Sequence, residues 1–401
     1  MAKLESIRIN LYLPGDVWIL SITAAIWSLG SSIASPFQSL FFKGLGTPIV
    51  YIGAFTAISS LVTIIAYILG GYIADVSGRR KVIVVFSVVS ALSAFFFVFV
   101  NTWFFLLVPI IIGAFSGIYN PAFNAMMNDS MRPKMRAVGF ASFAIVSTLP
   151  SIFAPYIGGN LIQSFGIVNG MKIAFFLSGM FGAAAVYIRA RYLKETYKPV
   201  PAEKKELGRV MAETLRGYLD VMMNSKVQAK KLLAYAAASS VAAGLSTVFI
   251  SIYLIERIHV APNQYGFLVG ISALATNLLL LPAISAMKRM SIKKIAVFSA
   301  LSSPASMLIF ISATGMNDLM AWSITGGVSG TLLSSVIQGL EGNATGKEVR
   351  GRFIALFNII SLACAIPAQL LSGFLYTISP LSTFLLSIPF YAASVLILIS
   401  I

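Results

Sequence analysis

The sequence carries little charge for its length. Asp, Glu, Lys and Arg make up 10% of its 401 residues, whereas soluble domains carry about a quarter. Hydrophobic residues make up 58%, and the mean hydropathy is +0.88. A chain of this composition cannot hide its apolar surface from water. Soluble fold classes are therefore excluded, and the lipid bilayer is the expected partner.

The chain also has almost no cysteine or histidine. The single cysteine, Cys364, can form no intrachain disulfide. The single histidine, His259, follows the end of a predicted span, and we interpret it as an interfacial loop residue. An active site or metal site inside a membrane would need several His, Cys or Asp side chains together. The sequence therefore predicts no enzyme and no cofactor, and the lack of a phosphate-binding loop motif excludes an ATP-driven pump.

The chain contains long runs without Asp, Glu, Lys or Arg. One spanning helix needs about 20 apolar residues. The two longest runs hold two spans each, because turn signals interrupt them at Asn101-Thr102 and at Ser379-Pro380. Counted this way, the sequence predicts twelve transmembrane helices. The runs are residues 17–42, 44–74, 82–128, 137–171, 173–188, 232–255, 259–287, 295–317, 319–340 and 353–401.

Basic residues give the chain a formal net charge of +16, which is also typical of nucleic-acid-binding proteins. Their placement favours a membrane instead. If the N-terminus is cytoplasmic, only Lys43, Lys172 and Arg257 fall on the outer side. The segment before the first span lacks the apolar core of a signal peptide, so we expect that span to be retained. The sequence thus predicts a multi-pass protein of the cell membrane, with both termini cytoplasmic and no nucleic-acid partner.

The longest polar stretch divides the predicted spans into six and six. We expect a first six-helix bundle at residues 1–192, a cytoplasmic linker at 193–229 and a second bundle at 230–401. Within the linker, apolar residues recur at helical spacing. They predict either a helix on the membrane surface or a solvated tether.

The two halves are weakly similar to each other. Residues 57–61 resemble 270–274, and residues 81–87 resemble 293–299. Both matches fall at corresponding places in their half, as expected of a duplicated six-helix unit.

The strongest motif lies between the second and third predicted spans, where residues 71–81 read GYIADVSGRRK. This stretch resembles the signature loop of the major facilitator superfamily. The resemblance implies an all-α membrane fold with two pseudo-symmetric six-helix bundles that move a small molecule by alternating access. It also implies that Asp75 faces the positive end of the eleventh helix, near Gly351 and Arg352, and latches the bundles together there.

Other residues of the motif have simple physical roles. We expect Gly71 to permit close helix approach and Gly78 to let the chain turn back. Arg79 and Arg80 would anchor the loop at the cytoplasmic surface. The corresponding loop of the second half, residues 286–294, keeps the basic residues but lacks the acid. A second latch is therefore not expected.

Two more charges, Asp129 and Arg136, resemble family residues at the inner ends of helices four and five. We expect them to join Asp75 and Arg79 in a charge network that is remade in each transport cycle. The alternative, that they are separate exposed charges of little energetic worth, stays open.

Helix five contains the sequence APYIGG at residues 154–159, which is similar to the end of the antiporter signature of this superfamily. The match is incomplete, because Ala141, Pro150 and Ala154 stand where that signature has further glycines. Close packing of helices is the preferred interpretation of this segment. The residues in question are Pro155, Gly158 and Gly159.

Polar side chains on the cavity-lining helices are the candidates for solute binding. The resemblance implies that helices one, four, seven and ten line the cavity, with the eleventh beside them. Buried hydroxyls often bond only their own helix backbone, so each assignment has that alternative. The candidates are Trp27, Ser31, Gln38, Tyr119, Asn120, Asn124, Tyr253, Gln338 and Asn358.

No acidic or basic residue is predicted in the middle of a span, where a charge would be costly. This favours a small apolar or amphipathic solute, and it leaves proton coupling without an obvious carrier. We therefore expect a monomeric secondary transporter that exports such a compound in exchange for protons. A carrier of a neutral metabolite or sugar is the alternative, followed by a non-transporting scaffold or sensor.

Overall fold

The computed structural model describes residues 11–197, 207–287, 292–328 and 350–401. Within these ranges the regular secondary structure is helical, without a β-strand. Ten of these helices are long and apolar enough to cross a membrane. The predicted all-α membrane fold is therefore confirmed. For the remaining two predicted spans, the eighth and the tenth, the structure describes the side chains of only part of the residues.

The first half of the chain forms six long helices joined by short turns. Several are interrupted by a single turn of 3₁₀-helix, as at Ser35–Phe37 and Leu149–Ile152. Their bounds are α1 Asp16–Gly44, α2 Ile49–Ser77, α3 Arg79–Phe99, α4 Trp103–Asp129, α5 Val138–Phe165 and α6 Ile167–Tyr192.

A helix at Leu207–Asn224, which we call the linker helix, lies between the two halves in the chain. The helices that follow are α7 Val227–Arg257, α8 Pro262–Met287, α9 Ile292–Ser312, α10 at residues 316–328, α11 Arg350–Ile378 and α12 Ser382–Ser400.

The start of α10 shows how local sequence sets a helix boundary. The Asp318 carboxylate accepts hydrogen bonds from the Thr314 N–H at 2.8 Å, the Thr314 hydroxyl at 3.0 Å and the Gly315 N–H at 3.2 Å. An acid in the first turn that reaches back to free N–H groups stabilises a helix start. These bonds, from Thr314 first, hold the pKa of Asp318 below its usual value.

The linker helix packs against α2 and α11. Val221 of this helix is buried in an apolar cluster with residues of α7, α9, α11 and α12, and Tyr218 packs against that cluster. Burial raises the pKa of the Tyr218 phenol, and the charge of Arg352 on α11 opposes that rise. Leu215 and Leu219 are exposed. The prediction that this helix lies on the membrane surface stays a prediction.

The two halves meet mainly through α2 with α11 and α5 with α8. Glycines make both contacts close. Gly53 of α2 lies against the Gln369 carbonyl, and Gly266 of α8 lies against the Pro155 carbonyl, with no room for a Cβ at either position. Small residues at such crossings let helix backbones approach each other.

The buried apolar clusters differ between the two ends of the molecule. We call the end with the Gly78 turn and the linker helix the linker end, and the other the opposite end. At the opposite end one cluster joins both halves and includes Phe37, Phe41, Phe249 and Phe384. At the linker end each half has its own cluster among the residues that the structure describes. The structure is therefore closed at the opposite end.

Candidate functional site

A cavity of about 370 Å³ lies among α1, α2, α3 and α4 and is bordered by one side chain of α11. This volume falls within the range of small-molecule sites. None of its lining side chains is charged. The wall is made of aromatic and aliphatic groups together with hydroxyls and amides, namely Gln38, Phe42, Phe55, Thr56, Ser59, Ser60, Ser93, Phe97, Pro109, Ile110, Gly113, Ala114 and Gln369.

Most hydroxyls in the wall are used within the protein. Thr56 donates to the Gly53 carbonyl at 2.8 Å, and Ser93 donates to the Pro109 carbonyl at 2.7 Å. Ser60 donates to Gln369 Oε1 at 3.0 Å. By contrast, the Gln38 side chain makes no hydrogen bond to any described residue, and neither does the amide nitrogen of Gln369. Among the described residues, the Gln38 amide and the amide nitrogen of Gln369 are therefore free to bind a solute.

Of the predicted solute-binding residues, Gln38 lines this cavity. Ser31 lies on α1 and donates weakly to the Ser28 carbonyl at 3.4 Å. Tyr119 and Asn120 are half-buried on α4, nearer the linker end, and Asn124 is exposed there. Their contact with a solute stays a prediction.

The other predicted solute-binding residues lie apart from the cavity. The Trp27 indole packs against Gly182 of α6. Tyr253 packs on Phe310 and Phe384, with ring centroids 5.6 and 5.0 Å away. Asn358 is exposed on α11, and Gln338 lies outside the described residues. No local pattern pointed to Thr56, Ser60 and Gln369, because the face of α11 that meets α2 depends on how the halves dock.

Two matching polar bonds join the halves. Ser60 of α2 bonds Gln369 of α11, and Thr148 of α5 donates to Asn277 Oδ1 of α8 at 2.7 Å. In each pair the first half supplies a hydroxyl and the second an amide.

The signature loop forms part of a charge cluster at the linker end. Arg79 forms an ion pair with Asp129. Arg136 lies close by, and its Nε donates to the Asn128 carbonyl at 3.1 Å. Arg80 donates to the Ala190 carbonyl at 2.6 Å. The structure thus brings α2, α3, α4 and α6 together at this loop.

Asp75 is exposed, and its carboxylate forms no ion pair within the described part of the chain. Its contact with the start of α11 stays a prediction. The expectation for Gly71 was wrong in this structure: a Cβ there would meet nothing within 4 Å. The preceding residue, Gly70, is the close one, because a Cβ there would lie 2.6 Å from the Ile118 carbonyl of α4.

Glu195, which the sequence reading missed, completes this loop. Its carboxylate accepts hydrogen bonds from the Arg79 N–H at 3.1 Å and the Arg80 N–H at 3.0 Å, at the start of α3. A carboxylate is favourable at a helix N-terminus because free N–H groups point outward there. The only sequence signal for this role was the position of Glu195, an acidic residue shortly after the last predicted span of the first half.

Arg189 is the other residue that the sequence reading missed. It ends an apolar run and so resembles a span boundary. In the structure its side chain is 3% exposed. Its Nε donates to Thr23 Oγ1 at 3.0 Å and one terminal nitrogen donates to Ser87 Oγ at 2.6 Å. The first half therefore contains a buried cation.

The predicted packing segment of α5 lies at two interfaces. Pro155 and Gly159 face α8, where Gly159 lies against the Pro262 carbonyl. Gly158 lies against the Ile33 carbonyl of α1. Neither glycine has room for a Cβ.

Comparison with curated proteins finds relatives that match less than half of the chain. The uncharacterized MFS-type transporter YqjV of Bacillus subtilis is 24% identical over 193 residues, 47% of this chain and 46% of that protein. The multi-drug resistance efflux pump PmrA homolog of Lactococcus lactis is 29% identical over 177 residues, 42% of each chain. The chain thus spans less than half the length of the curated relatives it matches.

Solved structures share the whole fold. The nucleoside transporter NupG superposes with a TM-score of 0.76 at 14% identity, over 96% of this chain and 98% of that chain. A peptide transporter POT in complex with sulfate gives a TM-score of 0.77 at 14% identity, over 96% and 93%. Such identities show the fold alone. Residues 20–243 match the family model described as Major Facilitator Superfamily, and because this match covers more than half of the chain, the chain belongs to the Major Facilitator Superfamily.

Proposed function

We propose that this chain is a secondary transporter that exports a small amphipathic or apolar compound by alternating access, in exchange for protons. The observation that carries the proposal is the cavity, which combines three Phe side chains with two free amides and no charge. Such a wall suits a solute with an apolar body and a few hydrogen-bonding groups. Both halves and the cavity come from one chain, so a monomer suffices.

The end-to-end difference in packing supports alternating access. The halves share one apolar cluster at the opposite end and have separate clusters at the linker end. A solute would therefore enter from the linker end in this state. In the other state the loop residues Gly71, Asp75, Gly78, Arg79, Arg80, Asp129 and Arg136 would close that end.

Two observations support export and proton coupling. The PmrA relatives in Lactococcus lactis and Streptococcus pneumoniae are named multi-drug resistance efflux pumps, and the excess of basic residues at the linker end favours a cytoplasmic position for that end. Of the carboxylates at that end, Asp129 is tied to Arg79. The exposed Asp75 is therefore our candidate for a proton-sensitive group.

A carrier of a neutral metabolite or sugar is the second candidate. The Gln38 amide and the free amide nitrogen of Gln369, with the Ser59 hydroxyl nearby, favour it. Polar lining of this kind can hold the hydroxyls of a sugar, and the neighbouring rings can pack on its apolar faces.

The test is transport by the purified full-length chain in liposomes under an imposed pH gradient. A panel of lipophilic dyes and a panel of radiolabelled sugars would be compared. We expect dye movement that needs the gradient and falls at least about tenfold with Asp75→Asn. Asp220→Asn is the matched control, since it removes an exposed carboxylate of the linker helix and should leave the rate unchanged.

Each result decides between versions of the proposal. Dye movement without a gradient would overturn proton coupling. Sugar exchange with no dye movement, in protein shown to be folded, would replace the amphipathic solute with a neutral metabolite. No movement of either panel would overturn both.

A further inference from the structure

The Arg189 side chain lies inside the first half, although Arg189 is only three residues before Tyr192, the last residue of α6. Its side chain reaches between α1 and α3, where the Thr23 and Ser87 hydroxyls accept its hydrogen bonds. Its guanidinium carbon also lies 5.9 Å from the Tyr119 ring and 5.7 Å from the Phe123 ring, both on α4. Four helices therefore surround one positive charge.

No described carboxylate neutralises this charge. The nearby acids at the linker end bind elsewhere: Asp16 accepts from the Lys194 N–H, and Glu195 accepts from the start of α3. The hydroxyls and aromatic faces around Arg189 solvate the guanidinium but carry no formal charge. A buried charge without a counter-charge is costly. Within a span such a charge indicates function by default.

The position of this charge relates it to the path of the solute. Thr23 lies on α1, which carries Gln38 of the cavity, and Tyr119 lies on α4, which lines the cavity at Ile110. The guanidinium therefore packs on the linker-end parts of two of the helices that line the cavity further along their length. In a low dielectric the field of a charge extends through one layer of side chains.

We propose that Arg189 makes this path selective for anionic over cationic amphiphiles. Because the selectivity acts on the solute of the transport function proposed above, it rests on that function. The Arg189 side chain need not touch the solute. In an effective dielectric of about 20, a unit charge changes the binding of a monovalent ion about 10 Å from it by about tenfold.

The test uses two ions of nearly the same shape and opposite charge, tetraphenylborate and tetraphenylphosphonium. Their binding to the purified full-length chain is measured by equilibrium dialysis in a neutral detergent, with empty micelles as the blank. We expect the preference for the borate over the phosphonium ion to fall at least about tenfold in Arg189→Gln. Gln keeps a donor for the hydroxyls and removes the charge.

Three further variants separate charge from structure. Arg189→Lys keeps the charge and should keep the preference. Arg189→Met removes the charge in a second way and serves if the Gln variant does not fold. Arg191→Gln removes an exposed arginine of the same helix and should change nothing.

The outcomes are distinct. Binding of both ions with the same preference in every folded variant overturns the role of Arg189 and leaves the transport function standing. A preference lost equally in the Lys and Gln variants also overturns it, because the effect would then be structural. Binding of neither ion to the parent protein overturns the amphipathic solute and the proposed selectivity together.

Discussion

At the residue scale, Gly78 shows why the signature loop needs glycine. Its backbone has φ +87° and ψ 144° between α2 and α3. Residues with a Cβ are strained in this region. A Cβ at Gly78 would also lie 2.8 Å from Glu195 Oε2, the carboxylate oxygen at the start of α3. Conformation and space therefore both require glycine here.

Gly78→Ala should destabilise the folded protein by about 1–3 kcal/mol. Gly71→Ala is the matched control, because a Cβ at Gly71 meets nothing within 4 Å. Because Gly71 lies within α2, Gly71→Ala should leave the stability of the folded protein unchanged or raise it by about 0.5–1 kcal/mol. Thermal unfolding of both variants in the same detergent checks the difference. Equal midpoints would contradict the conformation assigned to Gly78.

Individual site residues were predicted only where the signal was local. Gln38 was found because a polar residue at helical spacing in an apolar run stands out. Gln369 was missed because its meeting with Ser60 depends on the docking of α11 against α2. Arg189 was missed because a cation at the end of an apolar run resembles an interfacial anchor, and only the packed bundle shows that its side chain points inward.

At the element scale, the contact between α5 and α8 depends on glycine. Gly159 of α5 faces the Pro262 carbonyl, while Gly266 and Gly270 of α8 face the Pro155 and Ile152 carbonyls. Added methyl groups in a tight interface force backbones apart. Because these helices belong to different halves, such a change acts on how the halves dock.

Gly266→Ala should therefore lower stability by about 1–3 kcal/mol and slow transport. Gly217→Ala on the linker helix is the control, since a Cβ there meets nothing within 4 Å. Thermal unfolding and the liposome assay would be run on both variants. A Gly266→Ala protein with the stability and rate of the parent would show that α5 and α8 are not tightly packed in the working transporter.

The spans themselves were the most predictable elements. Length and hydropathy alone locate a spanning helix, because each backbone group in lipid must be bonded within its own segment. The apolar run 44–74 thus became α2, Ile49–Ser77. The 3₁₀ turn at Leu149–Ile152 inside α5 was not foreseen, although Pro150 supplied a signal for it.

At the scale of the whole molecule, the state of the transporter could not be read from the sequence. Under the proposed alternating access, the same residues pack at one end in one state and separate there in the other. Here Lys43 of α1 forms an ion pair with Glu256 of α7 at the opposite end. Phe37 of α1 packs edge-on against Tyr265 of α8, with ring centroids 5.3 Å apart. These contacts hold the halves together on that side.

Alternating access requires the Lys43 and Glu256 contact to open in every cycle. With Cys364→Ala as background, cysteines at both positions can be joined by a short thiol reagent that a reductant cleaves. We expect cross-linked protein to stop transporting dye in liposomes, because the cross-linked end can no longer separate to release the solute. Transport should recover when the reductant is added. Each single-cysteine variant, treated in the same way, should transport normally. Unchanged transport by fully cross-linked protein would mean that the solute leaves by another route, and that closure at this end is not one half of a transport cycle.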